Sequence, residues 1–341
     1  MLEVNVRSSR IVVTLMFAAG LAACAGDAGD GSASADSAGS ADRRDSASAT
    51  AGGGAGTADS ARRVASIPGF NTPESVKYDA ELDVYFISNI NGNPSAKDGN
   101  GYIARAKPDS AGSSVVVDTL LRGSQNGVTL HAPKGMAIVG DTLWVADIDA
   151  VRGFNKRTGQ PTRTVNFASM QATFLNDVAV GPGSGIYITD TGIRFAADGS
   201  MGKPGKQRIF RFMGSERATV ALEGDSLGNP NGIAWDDRKA TFIVVPFGSM
   251  SVMTWGSGDS AAKPLASGPG QYDGVEVLAD GRILVSSWAD SSVHVITDGR
   301  MRKLISGVPA PADIGYDSRR NRVLIPLFNG NTVEVWTVRA R

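Results

Sequence analysis

Pro230-Asn231-Gly232-Ile233 opens a unit that this chain repeats. A short polar motif is followed by a few residues of alternating character, a turn, and an apolar strand, here residues 240–246. The same motif stands at Pro73-Glu74-Ser75-Val76, Pro133-Lys134-Gly135-Met136, Leu175-Asn176-Asp177-Val178, Tyr272-Asp273-Gly274-Val275 and Pro311-Ala312-Asp313-Ile314. Apolar strands follow at residues 84–90, 142–148, 185–190, 282–288 and 321–328, and a third strand usually comes next, as at 292–297 and 332–338. The motifs recur at intervals of roughly 40 to 60 residues, the period of a four-stranded propeller blade. Six motifs predict an all-β chain folded as a six-bladed β-propeller of four-stranded antiparallel blades. A β-sandwich would not explain why one motif returns at the same point of every unit. The sixth unit has only three strands before Arg341. Residues 63–67, ahead of the first motif, are expected to pair with residues 332–338, closing the ring and removing two strand edges.

Composition agrees. The chain has 341 residues, with 42 glycines, 15 prolines and 20% charged residues, which suits many short strands and turns. Its 34 basic and 34 acidic side chains cancel, so no basic surface argues for nucleic acid. The single cysteine, Cys24, excludes an intramolecular disulfide.

The first residues read as an export signal. Arg7 and Arg10 give a positive start, residues 11–21 are apolar but too short to span a bilayer comfortably, and Leu21-Ala22-Ala23-Cys24 follows. This ending resembles a bacterial lipobox, which implies cleavage before Cys24 and lipidation of its thiol. Ala25 in place of Asp favours the outer membrane by the same resemblance. Residues 24–62 hold almost no large apolar side chains and read as a tether that cannot offset its ordering entropy. Its reach is roughly 35 Å. The expected organisation is therefore a signal peptide at 1–23, a tether at 24–62 and a propeller at 63–341. The protein is expected to be exported and lipid-anchored to the cell envelope, on the periplasmic side of the outer membrane or at the cell surface.

In a propeller the first strand of each blade lines the central channel, and its first residue faces the mouth. Those residues are Glu74, Lys134, Asn176, Asn231, Asp273 and Ala312. Five are polar where an apolar residue would fit a strand better, and converging buried polar groups need partners. Two carboxylates and two amide oxygens form a hard donor set suited to calcium or magnesium.

On these residues the chain resembles the regucalcin/gluconolactonase (SMP-30/gluconolactonase/LRE-like) propellers and, more distantly, the paraoxonases. The resemblance runs from about Arg62 to the end. It implies one divalent cation, calcium foremost, bound by Glu74, Asn176, Asn231 and Asp273. Asn-Gly or Asp-Gly alone usually marks a turn. Four such positions in order at one repeat point do not. Two departures stand out. The sugar-lactonase members carry Arg two residues before the third-blade Asn, where this chain has Phe174, and Lys134 replaces the His of the paraoxonase Pro-His-Gly motif.

The resemblance implies a metal-dependent hydrolase of lactones or related esters, with Asp273 as ligand and proton acceptor. Lys134 has three open readings: a catalytic general acid, a binder of a substrate carboxylate or phosphate, or the cation of a metal-free bridge to Asp273 or Glu74. The last belongs to the alternative function, a non-catalytic propeller that binds a ligand or protein. Asp147, Asp190 and Trp288 end second strands and are candidates to line the site, although both aspartates could equally satisfy turn amides. Two long connections, residues 91–100 and 193–207, overhang the mouth as a lid or as solvated insertions. His131 lies near the mouth and His294 reads as structural, so no Ser-His-Asp apparatus is expected. The glycines at 52–56 follow no strand and form no nucleotide loop. The expected partners are a small-molecule substrate and, through the lipid alone, a membrane.

Overall fold

The computed structural model describes residues 60–109 and 115–339. Cys24 and the stretch read as signal and tether up to residue 59 lie outside them. Residues Asp59–Ala340 form one compact unit. It opens with β1 (Ser60–Pro68). Blade 1 is β2 (Pro73–Asp79), β3 (Val84–Asn89), β4 (Tyr102–Pro108) and β5 (Val115–Arg122). Blade 2 is β6 (Pro133–Val139), β7 (Thr142–Asp147), β8 (Ala150–Asn155) and β9 (Pro161–Asn166). Blade 3 is β10 (Leu175–Val180), β11 (Ile186–Asp190), β14 (Arg208–Phe212) and β15 (Thr219–Glu223), interrupted by a two-stranded hairpin of β12 (Arg194–Phe195) and β13 (Met201–Gly202). Blade 4 is β16 (Pro230–Asp236), β17 (Thr241–Pro246), β18 (Ser251–Trp255) and β19 (Lys263–Ser267). Blade 5 is β20 (Tyr272–Val277), β21 (Ile283–Ser287), β22 (Ser292–Thr297) and β23 (Arg300–Ser306). Blade 6 is β24 (Gly315–Asp317), β25 (Arg322–Leu327) and β26 (Thr332–Arg339), completed by β1.

The six-bladed, all-β reading therefore holds, and so does its closure. β1 runs antiparallel to β26 from Ser60 opposite Arg339 to Pro68 opposite Thr332, with one register shift between Arg63 and Ala65. The pairing begins a few residues earlier than residue 63, because Ser60, Ala61 and Arg62 still find partners on β26. The core lies between blades. Tyr85, Ile87, Leu324 and Val335 pack at the seam of blades 6 and 1, and Tyr187, Ile209, Phe242 and Trp255 at the seam of blades 3 and 4. Each alternates with a residue on the other face of its sheet, so every blade is apolar on both faces.

Ion pairs tie the seams. Lys156 Nζ of blade 2 lies 2.8 Å from Asp79 Oδ2 of blade 1, both nearly buried. Arg320 of blade 6 reaches Asp83 of blade 1 at 2.7 Å and its own Asp317 at 2.8 Å. The Arg320 and Arg319 guanidiniums and the Tyr78 hydroxyl hold the Asp83 carboxyl down at about 2.

Candidate functional site

The ring residues converge because each inner strand bulges at that point. Register shifts fall between Pro73 and Ser75, Pro133 and Met136, Leu175 and Val178, Pro230 and Ile233, and Tyr272 and Val275. A bulge breaks the ladder locally and re-aims a side chain, here into the channel. Blade 6 differs. Pro311 and Ala312 stay with their own blade, the Ala312 N–H donating to Pro326 O (2.9 Å), while Asp313 bridges to Ser75 in parallel and its N–H donates to Glu74 O (2.8 Å).

Glu74, Lys134, Asn176, Asn231 and Asp273 are all buried. Glu74 Oε2 and Asp273 Oδ1 have no hydrogen-bond partner. The other Asp273 oxygen, Oδ2, accepts from Trp288 Nε1–H (2.8 Å). Asn176 commits its Nδ2 to Thr191 Oγ1 (3.0 Å), which leaves its amide oxygen as an acceptor. Burial, then the repulsion of Asp273 and Asp313, pushes Glu74 well above the usual carboxylate range, against a pull from Lys134. Burial and Asp313 push Asp273 up too.

A second layer, which the sequence reading did not anticipate, lies one residue deeper. There the six motifs carry Ser75, Gly135, Asp177, Gly232, Gly274 and Asp313, three glycines among three polar residues. Asp177 Oδ2 accepts the Ile233 N–H (2.8 Å), pinning blade 4 to blade 3. Ser75 Oγ donates to Asp313 Oδ2 (2.5 Å), pinning blade 1 to blade 6. Asp313 Oδ1 is a third buried oxygen without a partner. Below it Lys77 Nζ lies 3.2 Å from Glu276 Oε1 and 3.5 Å from Asp313 Oδ2. Burial alone would lower Lys77, but Asp313 and Glu276 outweigh it and keep the ammonium charged. Lys77, Trp235 and Glu276 also line a cavity of about 270 Å³ at the far end of the channel.

Lys134 does not bridge to a carboxylate. Its Nζ donates to Pro94 O (3.0 Å) and Ala132 O (2.9 Å) and sits 4.2 Å from the centroid of the Phe174 ring. Among the described residues it forms no ion pair. Burial lowers it to about 8, while Glu74 and Asp147 pull the other way. The metal-free Lys134 bridge is therefore not the arrangement found. The charge has turned out of the ring and into the connection at residues 91–100.

Asp147 and Asp190 are fully buried. Asp147 accepts the His131 and Ala132 N–H groups and pairs with Arg152. Asp190 accepts the Phe174 N–H (3.0 Å) and pairs with Arg208 (3.1 Å). Each fixes the segment entering its inner strand, so the turn-amide reading is the one observed. Trp288, by contrast, touches Asp273 directly. The two overhanging connections interlock across the mouth. Asn93 Nδ2 donates to Ala196 O (2.8 Å) and the Phe195 N–H donates to Ser95 Oγ (2.9 Å).

Blade 5 does hold a Ser-His-Asp grouping, but it is inert. His294 Nε2 faces both Ser292 Oγ (2.8 Å) and Asp290 Oδ2 (3.1 Å), so one nitrogen would have to serve as base and as oriented donor at once. Ser292 is fully buried.

The donor set fits a hard divalent cation: two carboxylate oxygens without partners and two amide oxygens at one register. Among the described residues no three His, Cys, Asp or Glu side chains form a metal cluster by themselves, so such a site depends on Asn176 and Asn231.

Comparison with solved structures places the fold. A candidate gluconolactonase superposes with a TM-score of 0.62 at 16% identity, over 84% of this chain and 94% of its own. A gluconolactonase from Xanthomonas campestris, described as important in glucose secondary metabolic pathways, gives 0.60 at 16% identity, over 82% and 89%. A luciferin-regenerating enzyme gives 0.59 at 12% identity, over 80% and 92%. No curated protein sequence matches. Residues 100–314 match the SMP-30/Gluconolactonase/LRE-like region, a stretch that runs from blade 1 to the sixth ring motif and contains four of the five polar ring residues. By that match the chain belongs to the SMP-30/gluconolactonase/LRE-like family.

Proposed function

We propose that the protein is a hydrolase of lactones or related esters that works with one divalent cation, calcium foremost. Glu74, Asn176, Asn231 and Asp273 would hold the cation at the channel mouth. The observation that carries this reading is the pair of buried, unpartnered oxygens, Glu74 Oε2 and Asp273 Oδ1, beside two amide oxygens. An unsatisfied buried carboxylate is costly unless a cation or donor meets it. The cation's chemistry is polarisation of an ester carbonyl.

The chain's own residues do the rest. Trp288 Nε1–H fixes Asp273 Oδ2 and leaves Oδ1 toward the channel, where it can take a proton from water. Burial and Asp313 raise its proton affinity above the usual carboxylate range, the direction a base needs. Lys134 spends two of its donors on carbonyls, so in this scheme it is a positioning residue for residues 91–100 rather than the general acid that was one of its open readings.

The test is calcium titration of chelated protein. Stabilisation of about 2.7 kcal/mol is expected at a hundredfold excess over the dissociation constant. Asp273→Ala should abolish most of it, together with lactone hydrolysis. A wild type that ignores divalent cations and cleaves no lactone or ester would sink the proposal in favour of a binding propeller.

Export and lipidation at Cys24 belong to the same proposal, supported by the Leu21-Ala22-Ala23-Cys24 ending. Expressed in a bacterium, wild type should fractionate with membranes and Cys24→Ser should not. Equal partitioning would remove the anchor.

A further inference from the structure

The residue that follows each second strand stands over the ring. Around the channel these are Ile90, Ile148, Thr191, Phe247, Trp288 and Phe328. Five of the six are apolar, at a mouth where connections are ordinarily polar. They join into an arc. The Phe247 and Trp288 ring centroids are 5.8 Å apart, and those of Trp288 and Phe328 are 5.3 Å apart. Phe328 continues onto the buried cluster of Ile90, Ala132 and Ile148. Phe247, Trp288 and Phe328 are only half-buried, so each keeps an open face.

Three further observations bear on what meets that face. Trp288 bonds Asp273, so the arc lies one side chain from the proposed reacting group. Ile148 sits at φ +58°, a left-handed position that Gly or Asn takes without strain and a β-branched residue does not. A bulky apolar side chain is kept there in spite of the backbone. Nearby cations are already engaged: Lys134 with two carbonyls and Phe174, and Lys203 with Asn229 Oδ1 at 2.8 Å. Across the mouth Phe174 and Phe195 face each other at 5.8 Å. The arc offers a polyhydroxylated ligand apolar ring faces rather than hydrogen-bonding partners.

We propose that the substrate of this site is a lactone or ester carrying an apolar alkyl or aryl substituent, held by the Phe247–Trp288–Phe328 arc while its carbonyl meets the ring. The inference rests on the hydrolase reading above and narrows its substrate class. An apolar substituent buried there displaces water from aromatic faces, and each buried methylene is worth up to about fourfold in binding.

The experiment uses γ-lactones bearing no tail, an ethyl, a butyl and a hexyl tail, with a hydroxylated sugar lactone for contrast. kcat/KM should climb with tail length, by up to about fourfold per methylene, and the hexyl lactone should outrun the sugar lactone. Phe328→Ser and Phe247→Ser should flatten the climb, and Phe328→Leu should keep it. Thermal midpoints check that each variant is folded. In parallel, the matching γ-lactams, which resist hydrolysis, are titrated by calorimetry, and their affinity should rise with tail length in the same variants that keep the kinetic climb. Lactone turnover without any tail dependence, or with the sugar lactone preferred, overturns this proposal and leaves the hydrolase reading standing. Tail-dependent lactam binding without turnover of any lactone or ester overturns the hydrolase reading and, with it, the substrate, leaving the arc as the seat of an apolar ligand. Lactam binding that ignores the tail overturns the proposal whatever the kinetics.

Discussion

Lys134 occupies a ring position yet gives its charge to the wall. A buried ammonium is tolerable only when its donors are met. Here Pro94 O and Ala132 O meet two of them, and the Phe174 face takes the third side. The ring therefore loses a competitor for its carboxylates, and the connection at residues 91–100 gains an anchor. Lys134→Met should keep calcium affinity or tighten it, because a like charge leaves the neighbourhood of Glu74. It should also strand the Pro94 carbonyl and speed proteolytic cleavage within residues 91–100. A tenfold loss of calcium affinity with unchanged cleavage would show that the ammonium supports the ring directly. The ring register of Lys134 was legible, because the motif repeats. Its partner was not: Pro94 comes 40 residues earlier, from a connection without periodicity. The roles of Asp147 and Asp190 were left open for a related reason, since a strand-terminal Asp looks the same whether it faces a channel or caps a preceding turn.

At the scale of the strand, glycine carries the close approach of one blade to the next. Asn231-Gly232 and Asp273-Gly274 have the look of turns, but both lie inside inner strands. A Cβ on Gly274 would stand 2.3 Å from the Ile314 N and 2.6 Å from the Asp313 Cα, and one on Gly232 would stand 2.4 Å from the Asp273 O. Those are backbone atoms of the adjacent blade and cannot swing away. Gly274→Ala should therefore cost about 1–3 kcal/mol or more by overpacking, and should weaken calcium binding by moving Asp273. Gly258→Ala, where a Cβ meets nothing within 4 Å, should stay within about 0.5 kcal/mol of wild type. Denaturant midpoints of the two variants measure the difference, and equal midpoints would refute the close-approach account. The same register explains what the sequence reading missed. Where the second layer is not glycine it is Ser75, Asp177 or Asp313, and each of these reaches the neighbouring blade. The mixture of glycines and small polar residues was visible in the six motifs. Its meaning depends on blade-to-blade spacing, which strand periodicity does not encode.

The whole channel is acidic beyond what its lysines balance. Glu74, Asp177, Asp273, Glu276 and Asp313 face only Lys77 and Lys134 among its charged inner-strand residues. Burial is the largest cause raising the proton affinity of each of these five carboxyls, and repulsion by neighbouring carboxylates adds to it for Glu74, Asp177, Asp273 and Glu276. In the unfolded chain the same groups titrate near 4. Above that pH, and until the folded affinities are passed, the folded protein holds more protons than the unfolded one. Stability then falls as pH rises. Chelated protein should accordingly have its highest thermal midpoint in mild acid and lose stability toward neutral pH. The surface pairs run the other way but outside this window: Asp83 and Asp290, both held down to about 2, contribute stability that is lost only as pH drops below roughly 4. Calcium supplies the missing positive charge where the carboxylates are ionised, so its stabilising effect should be larger at about pH 7.5 than at about pH 5.5, and should reverse the decline. Scanning calorimetry with chelator and with calcium, at both pH values, reads all four midpoints. A chelated midpoint that climbs toward neutral pH, or a calcium effect that is the same at both, would mean that the channel acids are already neutralised from within, and that no cation is needed to complete the fold.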